Sequence, residues 1–497
     1  NKHQAACSNE HHPTGRGRPG EIAITMTAAV VSKSDHLSGL PPEWPEDLLP
    51  EIQARVQASG RKIVVLDDDP TGTQTVHGVP VLTTWSESAL RRELQSGFAA
   101  FYILTNSRSL PAPAACALGK EIGHNLRCAC QATNVAVDVI SRSDSTLRGH
   151  FPGEVDALKD GLGVSPCPCL VVPFFLEGGR YTIDDIHYVA DGDLLIPAAQ
   201  TPYARDAVFG YRHSHLGRWV EEKTGGRTSA ARVTSITLED LRRGGQEPVA
   251  RKLIEMAPGD YGIVNAAAYR DLEVLVAGLL QAEAAGKKFI FRTAASFVRV
   301  RAGIAPRGGI KRHELTAANH YGGLFVVGSY VPKTTAQLTA LLTTTDVAPV
   351  EITVANLLND TDRDSEIDSA IEAVNQNLRK GDDTVLFTSR DLVTSATARE
   401  NLAIGQRVSD SLTRIVQALT CQPRYLVAKG GITSSDVATQ GLGVRRAMVM
   451  GQILPGVPVW KLGPETRYPD MAYIVFPGNV GNDDALVEIQ ERLAREK

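Results

Sequence analysis

The chain has 497 residues, 43% of them apolar, and a formal net charge of −4 at neutral pH. It is longer than one hydrophobic core usually supports and apolar enough to fill real cores, so two domains are expected. Lys and Arg are spread throughout, leaving no basic face for nucleic acid and no polybasic run for an anionic membrane, and no apolar run approaches the roughly 18 residues of a membrane span, so the expected partner is a small molecule.

Residues 1 to about 25 are polar and aperiodic, with Met26 as a candidate natural start, and a disordered leader is expected over 1–40. The first domain is expected over 41–310 and the second over 311–497. A Pro- and acid-rich stretch from Pro41 to Pro50 leads into a helical pattern over Leu48–Ala58. Next comes Ile63–Leu66, a β-branched run without alternation, which predicts a strand buried on both faces. Three carboxylates, Asp67, Asp68 and Asp69, follow at once, and Thr71-Gly72 makes a turn. Val79–Thr84, a helix at about Ser86–Ser96, a strand Ala99–Leu104 ending in the polar TNSRS, a helix Ala112–Thr133 and a strand Val135–Ile140 continue the chain. Alternation of this kind argues for a parallel sheet.

Cys169–Pro173 reads as a further strand, and the aromatic-rich, aperiodic segment from there to about Arg218 reads as an elaborated loop or lid. Asp260–Asn265, a helix over Leu272–Ala285 and Lys288–Arg292 restore the alternation. A stretch rich in Gly and Arg near 305–322 marks the domain boundary. Strands Leu324–Val327, Thr384–Phe387 and Tyr425–Ala428, each ending in Gly, Ser or Thr, belong to the second domain. The fold class is therefore α/β: two domains, each with a largely parallel sheet flanked by helices, and an active site in the cleft between them. Seven cysteines, an odd number, fit a reducing compartment better than a disulfide framework, and a soluble cytoplasmic protein is expected. The pairs Cys128/Cys130 and Cys167/Cys169 read as small buried hydrophobes on strands rather than a metal site.

Four strand-end loops carry the chemistry, because ligands of open α/β sheets bind at the carboxyl ends of strands. In the first half, Asp67–Gly72 is joined by Arg142-Ser143-Asp144-Ser145-Thr146-Leu147-Arg148. This second loop brings a carboxylate, hydroxyls and two guanidinium groups together, which suits a small anionic polyol: Arg forks a carboxylate while Asp and Ser bind hydroxyls. Gly179-Arg180 and Arg205-Asp206 are further candidates. In the second half, KGGITSS (Lys429–Ser435) follows a strand, and its adjacent glycines let backbone N–H groups approach a phosphate where a helix opens. Gly328-Ser329 and Pro477–Asp484 also follow apolar strands and are candidates to lie close to a nucleotide. The common nucleotide signatures, G-x-x-x-x-G-K-[ST] and G-x-G-x-x-G after the first strand, are absent.

From the residues alone three readings stay open. One is phosphoryl transfer from a nucleotide on the second domain to a hydroxy acid on the first. Another is a phosphatase with an aspartyl nucleophile, since Asp67-x-Asp69-x-Thr71 after an apolar strand resembles the start of the haloacid-dehalogenase pattern; it leaves the C-terminal half without a role. A third is a sensor that binds a sugar acid without turnover.

Taken together, the motifs resemble the four-carbon acid sugar kinase family. They are DD-P-TGTQ at 68–74, DSTLRG at 144–149, VPFFLEGGRYT at 172–182, RTAASFVRVRAG at 292–303, GSYVPKTTAQ at 328–337, KGGITSSD at 429–436, GQILPGVPVW at 451–460 and FPGNVGN at 476–482. The resemblance implies an N-terminal sugar-acid domain, a C-terminal nucleotide domain, and ATP-dependent phosphorylation of acids such as threonate, erythronate or 3-oxotetronate. This chain departs from the pattern at Pro70, where an aromatic or apolar residue is usual, and at Ile432, where an acid is frequent. Both departures bear on the substrate more than on the reaction. On this reading Asp68 or Asp69 is the base or orienter of the attacking hydroxyl. Thr71, Arg142, Asp144, Ser145, Thr146, Arg148 and Arg180 bind the sugar acid, and Ser329, Gly430, Gly431, Ile432, Thr433 and Gly478 bind ATP. Mg²⁺ would bridge the phosphates; its protein ligands are not legible, and one of the Asp carboxylates is an alternative metal contact. The expected partners are the sugar acid and ATP, without nucleic acid or membrane, and a homodimer is left open.

Overall fold

The computed structural model describes residues 28–494 apart from Tyr330, 391–397 and Asn479. The expected leader, as far as residue 27 and including Met26, lies outside the described residues.

Lys62–Asp67 is a strand buried along almost its whole length, with parallel neighbours on both sides, Ala100–Leu104 and Val137–Arg142. Its β-branched run has no polar alternation because helices cover both faces of the sheet. From the outer edge inward the first half orders its strands Thr234–Ile236, Tyr261–Val264, Cys169–Val172, Ile290–Thr293, Val137–Arg142, Lys62–Asp67, Ala100–Leu104 and Val79–Leu82, all parallel. The second half runs Ala472–Phe476, Leu426–Lys429, Leu324–Val327, Thr384–Thr388 and Ala348–Ile352, again parallel. The protein is thus a two-domain α/β molecule with a large, mostly parallel sheet flanked by helices.

The two halves do not have separate sheets. Arg446–Leu454 pairs antiparallel with Val79–Leu82 of the first half and with Val457–Leu462, which in turn pairs antiparallel with Ala472–Phe476. One sheet of 15 strands therefore crosses the molecule. Burial alternates along Arg446–Leu454, as expected for a strand with one face to solvent. Two register shifts, between Val449 and Gly451 and between Gln452 and Leu454, interrupt its pairing with the next strand, and Gly451 sits at φ 132°. Bulges of this kind bend a strand and increase its twist.

Three expectations need correction. The segment from Phe174 to Arg218, read as a loop or lid, contains Arg180–Ile183, Ile186–Asp191 and Leu194–Pro197, which form an antiparallel sheet. The leader does not extend to residue 40: Val31–Ser32 adds a fourth strand to that sheet by pairing with Leu194 and Leu195, and Ser32 Oγ caps the helix Lys33–Ser38 by accepting from Asp35 N at 3.2 Å. These strands are too short, and their turns too tight, to leave a periodic signal. Cys128 and Cys130 lie two apart on the helix Ala112–Thr133, so they point to different sides, and both are half-buried; of the two pairs it is Cys167 and Cys169 that are buried. Among the described residues no helix is long and apolar enough to cross a membrane.

The joint between the halves has a buried polar tie. Trp460, fully buried on Val457–Leu462, donates its indole N–H to Thr73 Oγ1 at 3.0 Å, just after the acidic turn. Replacing Thr73 by Val should remove that acceptor and strand a buried donor, lowering stability by about 1–3 kcal/mol. Denaturant unfolding checks this, and an unchanged midpoint would show that the bond does not hold the joint.

Candidate active site between the two halves

Asp67, Asp68 and Asp69 leave the central strand and enter the turn Pro70–Thr73. Asp67 is buried, its Oδ1 accepts from Arg142 Nη1 at 3.1 Å, and a Cβ at Gly72 would overlap its carboxylate. Only glycine therefore lets the turn fold back over this acid. Burial, with Asp68 and Asp69 adjoining, pushes the Asp67 carboxyl up to about 8 in spite of Arg142. Asp68 Oδ2 accepts from Ser143 Oγ at 2.8 Å, whereas its Oδ1 is buried without a hydrogen-bond partner among the described residues. Asp69 Oδ1 accepts from Thr71 N at 2.9 Å and Thr71 Oγ1 at 2.5 Å, and its Oδ2 pairs with Arg108 Nη2. Burial opposes ionisation at Asp69 as well, but Arg108 and the two Thr71 bonds outweigh it and hold this carboxyl below the usual carboxylate range.

Arg142 to Arg148 wraps around a second acid. Asp144 accepts from Arg148 Nε at 2.9 Å and from Thr146 N at 3.2 Å, and its other oxygen lies 3.1 Å from Arg108 Nη1. Burial works against this charge too, yet Arg148, Arg108 and Thr146 hold the carboxyl far below its ordinary value. Two buried side chains of the accessory segment clamp the loop backbone. His187 Nε2 donates to Ser145 O at 2.7 Å while its Nδ1 accepts from Thr182 Oγ1 at 3.0 Å, which fixes the tautomer because a carbonyl can only accept. Burial pushes His187 down to about 4, so it is neutral. Tyr211 OH donates to Thr146 O at 2.7 Å.

Three loops of the second half converge at the ends of their strands. Gly430 has φ 110°, and a Cβ there would stand 3.1 Å from Ser329 Cβ. A Cβ at Gly328 would lie close to Thr433 Oγ1, and one at Gly478 would be 3.9 Å from Ser329 Oγ. Lys429, fully buried directly before the glycine pair, donates to Pro477 O at 2.6 Å and Gly478 O at 3.3 Å and lies 3.7 Å from the centre of the Phe476 ring. Burial, with Lys333 nearby, pushes its ammonium down to about 7.

The halves meet at a cavity of about 500 Å³. Asp69, Thr71, Arg142, Asp144, Ser145, Thr146, Arg148 and Arg180 line it from the first half, and Gly431 and Gly478 from the second. Of the other residues expected at the site, Asp68 is held behind the lining by Ser143, and Ser329, Gly430 and Thr433 pack against one another beside Gly431. Ile432 does not line the cavity and is 54% exposed. Tyr330 and Asn479, within two of the motifs, lie outside the described residues. Of the further pair Arg205-Asp206, Arg205 is exposed and Asp206 sits 3.6 Å from Arg148 Nη1. Sequence reasoning passed over Arg108, Lys429 and Tyr203. Arg108 was visible only as part of a polar loop ending a buried strand, and Lys429 only as the residue before two glycines. Among the described residues no group of three or more His, Cys, Asp or Glu is placed to hold a metal.

Residues 63–301 match the model of a sugar-binding N-terminal domain, and residues 324–486 match that of a nucleotide-binding C-terminal domain. The chain thus joins one domain of each kind, a combination that fits a sugar kinase. It is similar to the crystal structure of a putative tRNA synthase from Salmonella typhimurium, with 18% identity over 86% of this chain and 98% of that one and a TM-score of 0.62. A Haemophilus influenzae protein assigned to the DUF1537 family has 18% identity over 86% of this chain and 100% of its own, with a TM-score of 0.58. A DUF1537 domain from Bordetella bronchiseptica, crystallised with citrate as a domain-swapped dimer, has 20% identity over 87% and 98% of the two chains and a TM-score of 0.38. No curated protein matches the sequence.

Lys429 gives the site a pH signature. Because its pKa is lower folded than unfolded, the unfolded chain holds the extra proton between about pH 7 and the ordinary lysine value, and stability rises with pH across that window. The stability advantage of the wild type over Lys429→Met should therefore grow by roughly 1–2 kcal/mol from pH 7 to pH 9. A difference that does not change with pH, measured by denaturant unfolding, would mean an ordinary, solvated lysine.

Proposed function

We propose that the protein is an ATP-dependent kinase that transfers the γ-phosphoryl group to a hydroxyl of a four-carbon sugar acid in the cavity between its halves. The observation that carries this reading is the contact of the acidic turn with the glycine loop: a Cβ at Gly431 would stand 3.0 Å from Asp69 Oδ2. Acceptor and donor sites are thereby adjacent, as direct phosphoryl transfer requires. The sequence motifs support the four-carbon acid as substrate and ATP as donor.

In this mechanism the acceptor hydroxyl is oriented by Asp69, its oxygen forms a bond to the γ-phosphorus, and the bond from that phosphorus to the β–γ bridging oxygen breaks to release ADP. The hydroxyl proton passes to Asp69 as the new bond forms. Asp69 is ionised and fixed by Arg108 and Thr71, so it is ready to accept. A loose transition state asks little basicity of this group and much of its position. Thr71, Arg142, Asp144, Ser145, Thr146 and Arg148 form the acceptor wall, and backbone at Gly430, Gly431 and Gly478, with Ser329 and Thr433 beside them, receives the phosphates. Mg²⁺ usually takes one or two protein carboxylates and completes its shell with water and phosphate oxygens. Oδ1 of Asp68 accepts no hydrogen bond among the described residues and has only the longer ion pairs to Arg142 at 3.7 Å and Arg108 at 4.0 Å, so Asp68 would hold the ion, with Asp69 beside it. When bound, Mg²⁺ neutralises charge on the phosphates.

Asp69→Asn should lower turnover by roughly 10²–10⁴-fold, with nucleotide binding nearly intact. ATP consumption measured over a panel of four-carbon sugar acids checks this, and a loss of less than tenfold would remove Asp69 from the role.

The glycine loop is best tested at Gly430, because a side chain at Gly431 would press on Asp69. Gly430→Val would combine an unfavourable φ with a clash against Ser329. The KM for ATP should rise at least tenfold, or activity vanish, while calorimetric binding of the sugar acid without nucleotide stays near wild type. An unchanged KM in folded protein would take the nucleotide away from this loop.

A further inference from the structure

Four cationic side chains line the cavity, and three of them are already committed. Arg142 is paired with Asp67 at 3.1 Å, Arg148 with Asp144 at 2.9 Å, and Arg108 with both Asp69 and Asp144. Arg180 differs: its guanidinium has no carboxylate or carbonyl partner among the described residues, and its Nε is buried without a hydrogen bond. A half-buried guanidinium with unused donors is costly unless an anion completes it.

The chain fixes Arg180 in place by steric means. Phe175 and Arg180 exchange backbone hydrogen bonds of 3.0 and 2.8 Å, and Gly179 N donates to Leu176 O at 2.9 Å, closing a tight turn. Within it Gly179 has φ 70°, and a Cβ at Gly178 would overlap the Phe175 ring and stand 3.2 Å from Arg180 Nη1. From Arg180 onward the backbone is locked into the antiparallel sheet opposite Val189. Tyr203 lies against the guanidinium, its ring centre 5.9 Å from Arg180 Cζ and 5.1 Å from Arg148 Cζ. The nearby acid Glu177 is turned to other partners, accepting from Tyr269 OH at 2.6 Å. A planar donor fork thus faces the cavity on a rigid turn, with a ring behind it and no internal counter-ion.

We infer that Arg180 is the specificity-determining residue that binds the carboxylate of the acceptor and separates a sugar acid from the neutral polyol of the same length. The carboxylate then lies on the Phe175–Arg180 turn, not on Arg142 or Arg148, whose charges Asp67, Asp144 and Asp206 already answer. The inference rests on the kinase reading only for the identity of the acceptor; the binding step does not involve ATP.

The test is calorimetry on the full chain without nucleotide, using salts of hydroxy acids of three to six carbons and the matching neutral polyols, with wild type, Arg180→Gln and Arg180→Lys. The wild type is expected to prefer the best acid over its polyol. Arg180→Gln should weaken acid binding by roughly 10–100-fold and leave polyol binding unchanged, since one charge-assisted contact is lost. Arg180→Lys should recover part of the preference, because it restores the charge without the planar fork. Equal weakening of acid and polyol would indicate a merely structural role and overturn the inference. So would acid binding that ignores the substitution, or a wild type that binds none of the acids. Turnover of the same acids with ATP is measured alongside. Arg180-dependent binding without turnover would overturn the kinase and leave the carboxylate site standing, while turnover with undiminished preference for the acid in Arg180→Gln would do the reverse.

Discussion

The antiparallel pairing of Val79–Leu82 with Arg446–Leu454 is the constraint on which the rest of the structure depends. It turns two parallel sheets into one, so the relative position of the halves is fixed by backbone hydrogen bonds rather than by a flexible linker. Three successive antiparallel pairings separate the two parallel blocks. In a flat sheet they would leave the carboxyl ends of the two blocks on opposite edges. Asp69 and Gly431 nevertheless touch, so the sheet must turn sharply between them. The two bulges of Arg446–Leu454 and the positive φ of Gly451 lie where that turn is needed. The Trp460–Thr73 hydrogen bond ties the same hairpin to the acidic turn.

Around that joint the cavity is an arrangement of charges that answer one another. Asp67, Asp68 and Asp69 would repel if they stood alone, and burial works against the charge of Asp67 and of Asp69. Arg142 and Arg108 divide them: Arg142 serves Asp67 and stands 3.7 Å from Asp68, while Arg108 links Asp69 to Asp144 on the neighbouring loop. The outcome differs from acid to acid, with Asp67 pushed up to about 8 while Asp69 is held down. Environments that drive adjacent carboxyls apart are how one loop provides both a structural and a reactive acid. The segment Phe174–Arg218 completes the arrangement by holding Ser145 through His187 of its sheet and Thr146 through Tyr211 beyond it.

Much of this was legible in the sequence, and the reasons for the rest are physical. Buried parallel strands have a compositional signature, so Lys62–Asp67 and Leu324–Val327 stood out, as did the long helix Ala112–Thr133 with its apolar period. The loops at their ends could be picked out for the same reason. The accessory sheet could not: Asp184 and Asp185, both at positive φ, reverse the chain in two residues, and no strand there is longer than six. The hairpin that joins the halves was visible only as the string GQILPGVPVW, because Met448 and Met450 on the half-buried face of Arg446–Leu454 hide the apolar–polar alternation by which a one-sided strand is read. Arg108 illustrates a different limit. Its partners Asp69 and Asp144 come from two other loops, and convergence of three loops is not encoded in any one of them. The same limit explains why Arg142 and Arg148 looked free to fork a substrate carboxylate, although the fold commits both to aspartates.

That commitment also bears on the uses a strand-end aspartate can have. A phosphatase of the dehalogenase type needs the first acid of the series as an exposed, ionised nucleophile. Asp67 is 1% exposed, is covered by the turn at Gly72, does not line the cavity and binds its proton up to about pH 8. A protonated carboxyl closed off from the cavity cannot attack a phosphorus atom there. Asp69 has the exposure to the cavity that Asp67 lacks, but both of its oxygens are engaged, by Thr71 and by Arg108. Those bonds lower its nucleophilicity while fixing its direction, which suits a group that orients another molecule's hydroxyl and not one that forms an ester itself. Its position against Gly431, on the far half of the molecule, then accounts for the domain that the phosphatase reading leaves without a role.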